Sequence, residues 1–138
     1  MSLCLVGVFL LAWSATGMAK IKVDRYFVDS QNNTGYYIDV NSITMVGEQE
    51  LQVDLYLVKS REGYMYVYRT NFDLTQQSYQ YVHTKIYRYD SKSLIAENNR
   101  QLPPLTYKNS PILLDVVAFA QEWKRTHISK TQYGETWE

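Results

Sequence analysis

The residues that could do acid–base, nucleophilic or metal chemistry are few and scattered along the chain. The two histidines, His83 and His127, are far apart, and neither has cysteines or carboxylates at the spacing of a metal-ligand set. Five aspartates could pair in space as acid and base, but no spacing favours any two: Asp24, Asp39, Asp54, Asp73 and Asp115. We therefore predict no catalytic residues, no cofactor and no metal site.

Three motifs of enzymes and ligand-binding loops also find no match in the sequence. The six glycines are dispersed, so no phosphate-binding loop is formed. The segment after Asp90 lacks the alternating oxygen ligands and the closing glutamate of a calcium loop. No serine stands in a nucleophile elbow. These observations favour a protein that is not an enzyme.

The overall charge is balanced and restricts the class of partner. Fourteen basic residues offset fourteen acidic ones, and no basic cluster breaks the balance locally. Binding to nucleic acid or to an anionic membrane surface depends on excess positive charge. We expect neither partner.

Residues 1–19 have the features of a signal peptide. The apolar run from Leu3 to Trp13, which includes Cys4, is too short to span a bilayer comfortably. Gly17 and Ala19 then place small residues where a signal peptidase needs them, so we predict cleavage before Lys20. No Lys or Arg precedes the run, and an uncleaved anchor is the alternative. The predicted mature chain is exported (periplasmic, cell-surface or secreted), spans no membrane and contains no cysteine.

Three long segments alternate apolar and polar residues with the period of a β-strand: Leu51–Lys59, Tyr64–Leu74 and Tyr79–Tyr89. They carry most of the chain's 13 tyrosines, a residue that favours strands. Shorter strands are predicted at 21–28, 36–40 and 94–96. Gly35 and Gly47 are the expected positive-φ residues of the first turns.

One amphipathic helix follows the strands. Ser110 can cap it, Pro111 suits its first position, and the apolar residues from Ile112 to Arg125 recur at steps of three and four. Residues 128–138 are polar and are predicted to form a loosely ordered tail. The sequence thus predicts one α+β domain over 20–127, an antiparallel meander of about six strands with the C-terminal helix packed on one face.

The alternation within the strands sorts their side chains into two sets. Leu51, Val53, Leu55 and Leu57 form an aliphatic set that suits the helix. If the strand register aligns aliphatic residues with aliphatic ones and tyrosines with tyrosines, the opposite face is a ladder of seven tyrosines. These are Tyr64, Tyr66, Tyr68, Tyr79, Tyr81, Tyr87 and Tyr89. Tyrosine is enriched at interface cores, so this set is a candidate protein-contact surface, for a second copy or an extracellular partner. The alternative is that the tyrosines pack under loops or under the helix.

The segment Tyr36-Tyr-Ile-Asp-Val-Asn-Ser-Ile43 resembles the opening motif of the surface-adhesin protein E-like family of small exported bacterial domains. The strands Val53–Lys59 and Tyr79–Asp90 are similar to those that follow in that family, and the similarity runs from about Tyr26 to Trp123. The resemblance implies an antiparallel sheet crossed by a C-terminal helix, a dimer, and adhesion to host extracellular-matrix proteins. It brings no catalytic residues.

Within that motif, Tyr36, Tyr37, Asp39, Ser42 and Ile43 are predicted to be structural. Asp39 and Ser42 flank a strand exit, where their side chains can bond backbone groups. The chain departs from many relatives in having Tyr26-Phe27 where they have tryptophan, and in having no cysteine in the mature part.

Two functions from different classes remain open at this point, and an envelope-maintenance role with no host partner is a third. The first is an exported, non-enzymatic binding or adhesion domain. The second is a small-ligand-binding or enzymatic domain with a pocket between helix and sheet. A filled helix–sheet interface with accessible tyrosines favours the first, and a tyrosine-lined pocket around buried polar groups favours the second.

Overall fold

The chain folds into an antiparallel sheet with a long helix against one face. The computed structural model describes residues 22–137, and the side chains of 22–127. The strands are β1 Arg25–Gln31, β2 Thr34–Asp39, β3 Thr44–Gly47, β4 Glu50–Lys59, β5 Tyr64–Asp73, β6 Ser78–Arg88, β7 Leu94–Asn98 and β8 Leu105–Thr106; the helix α1 is Pro111–Trp137. The predicted signal peptide lies outside the described residues.

The strand order is β1-β2-β4-β5-β6-β7, with every pair antiparallel. β2 pairs with the 55–58 end of β4, and β3 pairs with its 50–52 end, so the two share one edge of β4. β7 and β8 share the outer edge of β6 in the same way. The three long strands predicted from the sequence are therefore the centre of the sheet.

A single turn of 3-10 helix, Val40–Ser42, interrupts the edge between β2 and β3. Asp39 accepts the backbone N–H groups of Asp24 and Asn41, each at 3.0 Å. Ser42 Oγ donates to the carbonyl of Asp39 (2.7 Å) and accepts the N–H of Asp54 on β4 (2.8 Å). The prediction that Asp39 and Ser42 bond backbone groups at a strand exit is confirmed.

The turns differ from the prediction in which residues adopt positive φ. The β1–β2 hairpin turns on Asn32 (φ 52°) and Asn33 (φ 62°), and Gly63 has φ 83° before β5. The expectation for Gly35 and Gly47 is wrong, because both lie within strands. Asparagine tolerates the left-handed region better than most residues and can replace glycine in a two-residue turn.

The helix begins as predicted and extends further than predicted. Ser110 Oγ accepts the N–H of Leu113 at 3.2 Å, which is the N-cap bond, and Pro111 is the first helical residue. The helix continues beyond Arg125 to Trp137, through most of the segment predicted to be a loosely ordered tail.

The helix packs chiefly on β1 and β2, and its apolar side completes the core. Val116 on the helix and Val53 and Leu55 on β4 are completely buried. The predicted α+β class, an antiparallel sheet with a C-terminal helix on one face, is confirmed. We call the side of the sheet that carries the helix the helix face, and the opposite side the back face.

Candidate contact surface

The tyrosines of β5 lie on the helix face, beside the aliphatic residues of β4. The β4–β5 register places Leu55 opposite Tyr68 and Leu57 opposite Tyr66, so these pairs point to the same side. Met65 and Val67, in contrast, pair with Val58 and Tyr56 on the back face. The prediction of an aliphatic face opposed to a tyrosine face is therefore wrong. The register of β4 and β5 places the leucines of one strand next to the tyrosines of the other, on the same face of the sheet.

The tyrosines of β6 are divided between the two faces by a bulge. The register shifts between Arg69 and Thr70 of β5, and Val82 of β6 is the extra residue. Before the bulge, Tyr81 lies opposite Thr70 and Tyr79 opposite Phe72, on the helix face. After it, Tyr87 lies opposite Met65, on the back face. Tyr89 also lines a back-face cleft, with Arg25 and Tyr37.

Five of the seven candidate tyrosines thus form a continuous line on the helix face, which we call the tyrosine row: Tyr64, Tyr66, Tyr68, Tyr81 and Tyr79. Successive ring centroids are 6.4, 6.1, 4.1 and 5.5 Å apart. Tyr66, Tyr68 and Tyr81 are stacked with nearly parallel planes, and the other contacts are edge-on. Aromatic contacts in this distance range add roughly 0.5–1.5 kcal/mol each beyond buried area.

The row extends past the core that the helix helps to form. Tyr79 packs against that core, but Tyr64, Tyr66, Tyr68 and Tyr81 do not belong to it. All five side chains are half-buried. At its Tyr64 end the row is flanked by cations: Lys59 and Arg88 lie opposite Tyr64 on the two neighbouring strands, and Lys59 Nζ is 6.0 Å from the Tyr66 ring.

The hydroxyl groups of the row are accessible to water. They make no hydrogen bond to any described residue, and no buried side-chain oxygen or nitrogen in the described part lacks a partner. A hydroxyl group that has no hydrogen bond within the protein and is not enclosed in the interior must be exposed to solvent. The row therefore combines packed rings with exposed hydrogen-bonding tips.

These hydroxyls also lie close enough to influence one another. Burial, followed by the neighbouring hydroxyls of Tyr66 and Tyr36, raises the pKa of Tyr68. Burial and Tyr36 likewise raise the pKa of Tyr79, and burial with Tyr79, Tyr68 and Tyr36 raises that of Tyr81 strongly. All three phenols are therefore neutral donors at physiological pH.

Tyr36 is a neighbour of the row that sequence reasoning missed. The sequence predicts a structural role for it within the Tyr36–Ile43 motif; the register places it on the helix face opposite Leu57, which separates it from Tyr66. Tyr36 stands two residues before Ile38 in the same strand, so the two side chains point to the same face of the sheet. The apolar, fully buried Ile38 was therefore the signal that could have placed Tyr36 there.

The titratable residues considered for catalysis serve mostly as local partners. Asp54 receives two hydrogen bonds from Arg69, at 3.0 and 3.2 Å. His83 Nε2 lies 2.8 Å from Glu97 Oε2, and Asp73 accepts the N–H groups of Thr75 and Gln76. In the part of the chain that the structure describes, no group of three His, Cys, Asp or Glu residues could hold a metal ion.

Comparison with known protein families, with curated proteins and with solved structures gives no match to this chain. No helix within residues 22–137 is both long and apolar enough to cross a bilayer. The candidate function therefore depends on the geometry of the tyrosine row.

Proposed function

We propose that this protein is an exported, non-enzymatic binding domain that contacts a protein partner through the tyrosine row. The observation that carries the proposal is the combination of ring packing and accessible hydroxyls in Tyr64, Tyr66, Tyr68, Tyr81 and Tyr79. Tyrosines held in place by their neighbours lose little side-chain entropy on binding, and their hydroxyls add directional hydrogen bonds.

The helix–sheet interface supports a contact surface over an internal pocket. Val116, Val53 and Leu55 fill the space under the helix, and their side chains are fully buried. A small ligand held under this part of the helix would have to displace these contacts. A partner that approaches the row from outside has no such requirement.

The resemblance of Tyr36–Ile43 to the surface-adhesin protein E-like family gives the proposal its cellular setting. On that basis the partner is extracellular, with matrix proteins of a host as the first class to test. The cations Lys59 and Arg88 at the Tyr64 end favour a partner with acidic residues near that end of the contact.

The test compares Tyr64→Ser/Tyr66→Ser with a matched back-face variant, Tyr89→Ser. Tyr64 and Tyr66 form the end of the row outside the helix-covered core, whereas Tyr89 is 37% exposed on the other face. Binding to immobilised fibronectin, laminin and collagen is measured for each variant. We expect wild type and Tyr89→Ser to bind one of these proteins alike, and the double variant to bind at least about tenfold more weakly.

Light scattering after size-exclusion chromatography checks whether the row is used for self-association. A wild-type dimer that becomes a folded monomer only in Tyr64→Ser/Tyr66→Ser would identify a second copy as the protein partner. Equal matrix binding by all three proteins, or no binding and no self-association by wild type, would overturn the proposal.

A further inference from the structure

The back face contains a cleft in which three polar groups have no hydrogen-bond or ion-pair partner among the described residues: the Tyr56 hydroxyl, one carboxylate oxygen of Asp39 and the Lys85 ammonium. It has a volume of about 320 Å³, at the small end of the range for ligand sites. Its walls include Asp39, Tyr56, Val67, Lys85 and the Asp54–Arg69 pair. The cleft lies across β4, β5 and β6, on the side away from the tyrosine row.

Tyr56 is the central feature of this cleft. The residue is only 9% exposed, yet its hydroxyl makes no hydrogen bond to any described residue. Because no buried oxygen of the described part is left without a partner, this hydroxyl must open into the cleft. The hydroxyl is therefore exposed to solvent in the cleft, where a ligand group that donates or accepts a hydrogen bond can replace its water.

The cleft also has an acidic end. Asp39 is 5% exposed, and one of its carboxylate oxygens, Oδ1, accepts two backbone N–H groups. Its other oxygen makes no hydrogen bond or ion pair with a described residue and is not sealed in the interior. Asp54, in contrast, is neutralised by its two hydrogen bonds from Arg69.

The opposite end of the cleft is basic. Lys85 on β6 is half-buried and has no ion pair or hydrogen bond with any residue described here. Its cross-strand neighbour Glu97 is bonded to His83 instead. Three strand spacings, roughly 14 Å along the sheet, separate β2 from β6, which is too far for Lys85 and Asp39 to pair directly.

From this arrangement we infer that the cleft binds a short peptide of two or three residues through its two charged ends. The terminal ammonium group lies against Asp39 and the Tyr56 hydroxyl, and the terminal carboxylate lies against Lys85. Val67 lies between the ends, next to the Asp54–Arg69 ion pair, and Tyr87 extends the apolar wall beyond Lys85. A chain of this length spans up to about 10 Å, which matches the gap once the two side chains reach inward.

The experiment titrates trialanine into the protein and follows amide chemical shifts by NMR. We expect shifts at Tyr56, Val67 and Lys85, and a dissociation constant in about the millimolar range. N-acetyl-trialanine and trialanine amide, which each lack one charge, should bind about tenfold more weakly. Lys85→Met should weaken binding about tenfold, and Tyr56→Phe, which removes only the hydroxyl, should weaken it severalfold.

The control is Lys92→Met, because Lys92 is also a back-face lysine but lines the neighbouring cleft with Tyr89. It should bind trialanine as wild type does. Three results would overturn the inference: no shifts at about 20 mM peptide, equal affinity for the blocked peptides, or equal affinity in Lys85→Met. Acetate binding as tightly as trialanine would overturn it as well, since recognition would then need only one charge.

Discussion

Tyr68 on β5 stacks on Tyr81 on β6 with ring centroids 4.1 Å apart and planes 15° apart, although the two residues are not opposite each other. Tyr68 lies opposite Thr84, and Tyr81 lies opposite Thr70. The Val82 bulge brings the two rings together on a diagonal, because it returns Tyr81 to the helix face. The centre of the tyrosine row therefore depends on one extra residue in β6.

We predict that Tyr68 and Tyr81 are energetically coupled. A double-mutant cycle with Tyr68→Ala and Tyr81→Ala should give a coupling free energy of about 0.5–1.5 kcal/mol in urea unfolding, because each ring loses its stacking partner. The control cycle combines Tyr68→Ala with Tyr87→Ala on the other face and should be additive within about 0.5 kcal/mol. Additive behaviour in the first cycle would show that the stack contributes nothing beyond burial.

We predict that Ser42→Ala destabilises the fold by about 1–3 kcal/mol. The substitution removes a bond to the Asp39 carbonyl and leaves the N–H of Asp54 without its acceptor, in a part-buried position. The matched control is Thr44→Ala, whose hydroxyl donates to the Ser42 carbonyl on the exposed surface and should cost less than about 0.5 kcal/mol. Equal unfolding free energies for the two variants would contradict the bridging role of Ser42.

We predict that stability falls as the pH rises above 10. Burial raises the pKa of Tyr68, Tyr79 and Tyr81 above the ordinary value of 10.0, and it raises that of Tyr56 to about 12. The folded state then holds these protons more tightly than the unfolded state. This contribution to stability is complete below pH 10 and is lost as pH rises through the raised values.

The measurement for this prediction is the urea unfolding free energy at about pH 8 and about pH 11. The triple variant Tyr68→Phe/Tyr79→Phe/Tyr81→Phe should lose less stability over this interval than wild type, since three of the titrating hydroxyls are gone. If wild type and the triple variant have the same pH dependence, the row is not responsible for it.

We predict that Gln77→Gly stabilises the protein whereas Gln76→Gly destabilises it. Gln77 has φ 55°, a conformation that costs a residue with a side chain about 1 kcal/mol relative to glycine. Gln76, its neighbour in the same turn, does not have a positive φ, so glycine relieves no strain there. Glycine at this position only increases the conformational entropy of the unfolded chain, which lowers stability. Thermal unfolding should shift by a few degrees in opposite directions; a shift of the same sign in both variants would contradict this account.

Local patterns in the sequence were sufficient for the elements and for some of their contacts. The alternation in Leu51–Lys59, Tyr64–Leu74 and Tyr79–Tyr89 located the three central strands, and Ser110-Pro111 located the start of the helix. Asp39 and Ser42 bond backbone groups as predicted, because turn-capping bonds form between residues close in sequence or at an adjoining strand.

The distribution of residues between the two faces was decided only by the tertiary structure. Which residue of β5 lies opposite Leu55 depends on the register of two strands, and period-two alternation fits either register equally well. The Val82 bulge then separates Tyr79 and Tyr81 from Tyr87 and Tyr89, although all four have the same parity in sequence.

The sequence by itself thus determined an antiparallel sheet, a capped amphipathic helix and an unusual supply of tyrosine. Those features follow from interactions within a few residues along the chain. The tertiary structure decided which tyrosines form one row, and it placed Asp39, Tyr56 and Lys85 around one cleft. The register of four paired strands determines which side chains become neighbours. A single inserted residue moves the side chains that follow it to the opposite face of the sheet.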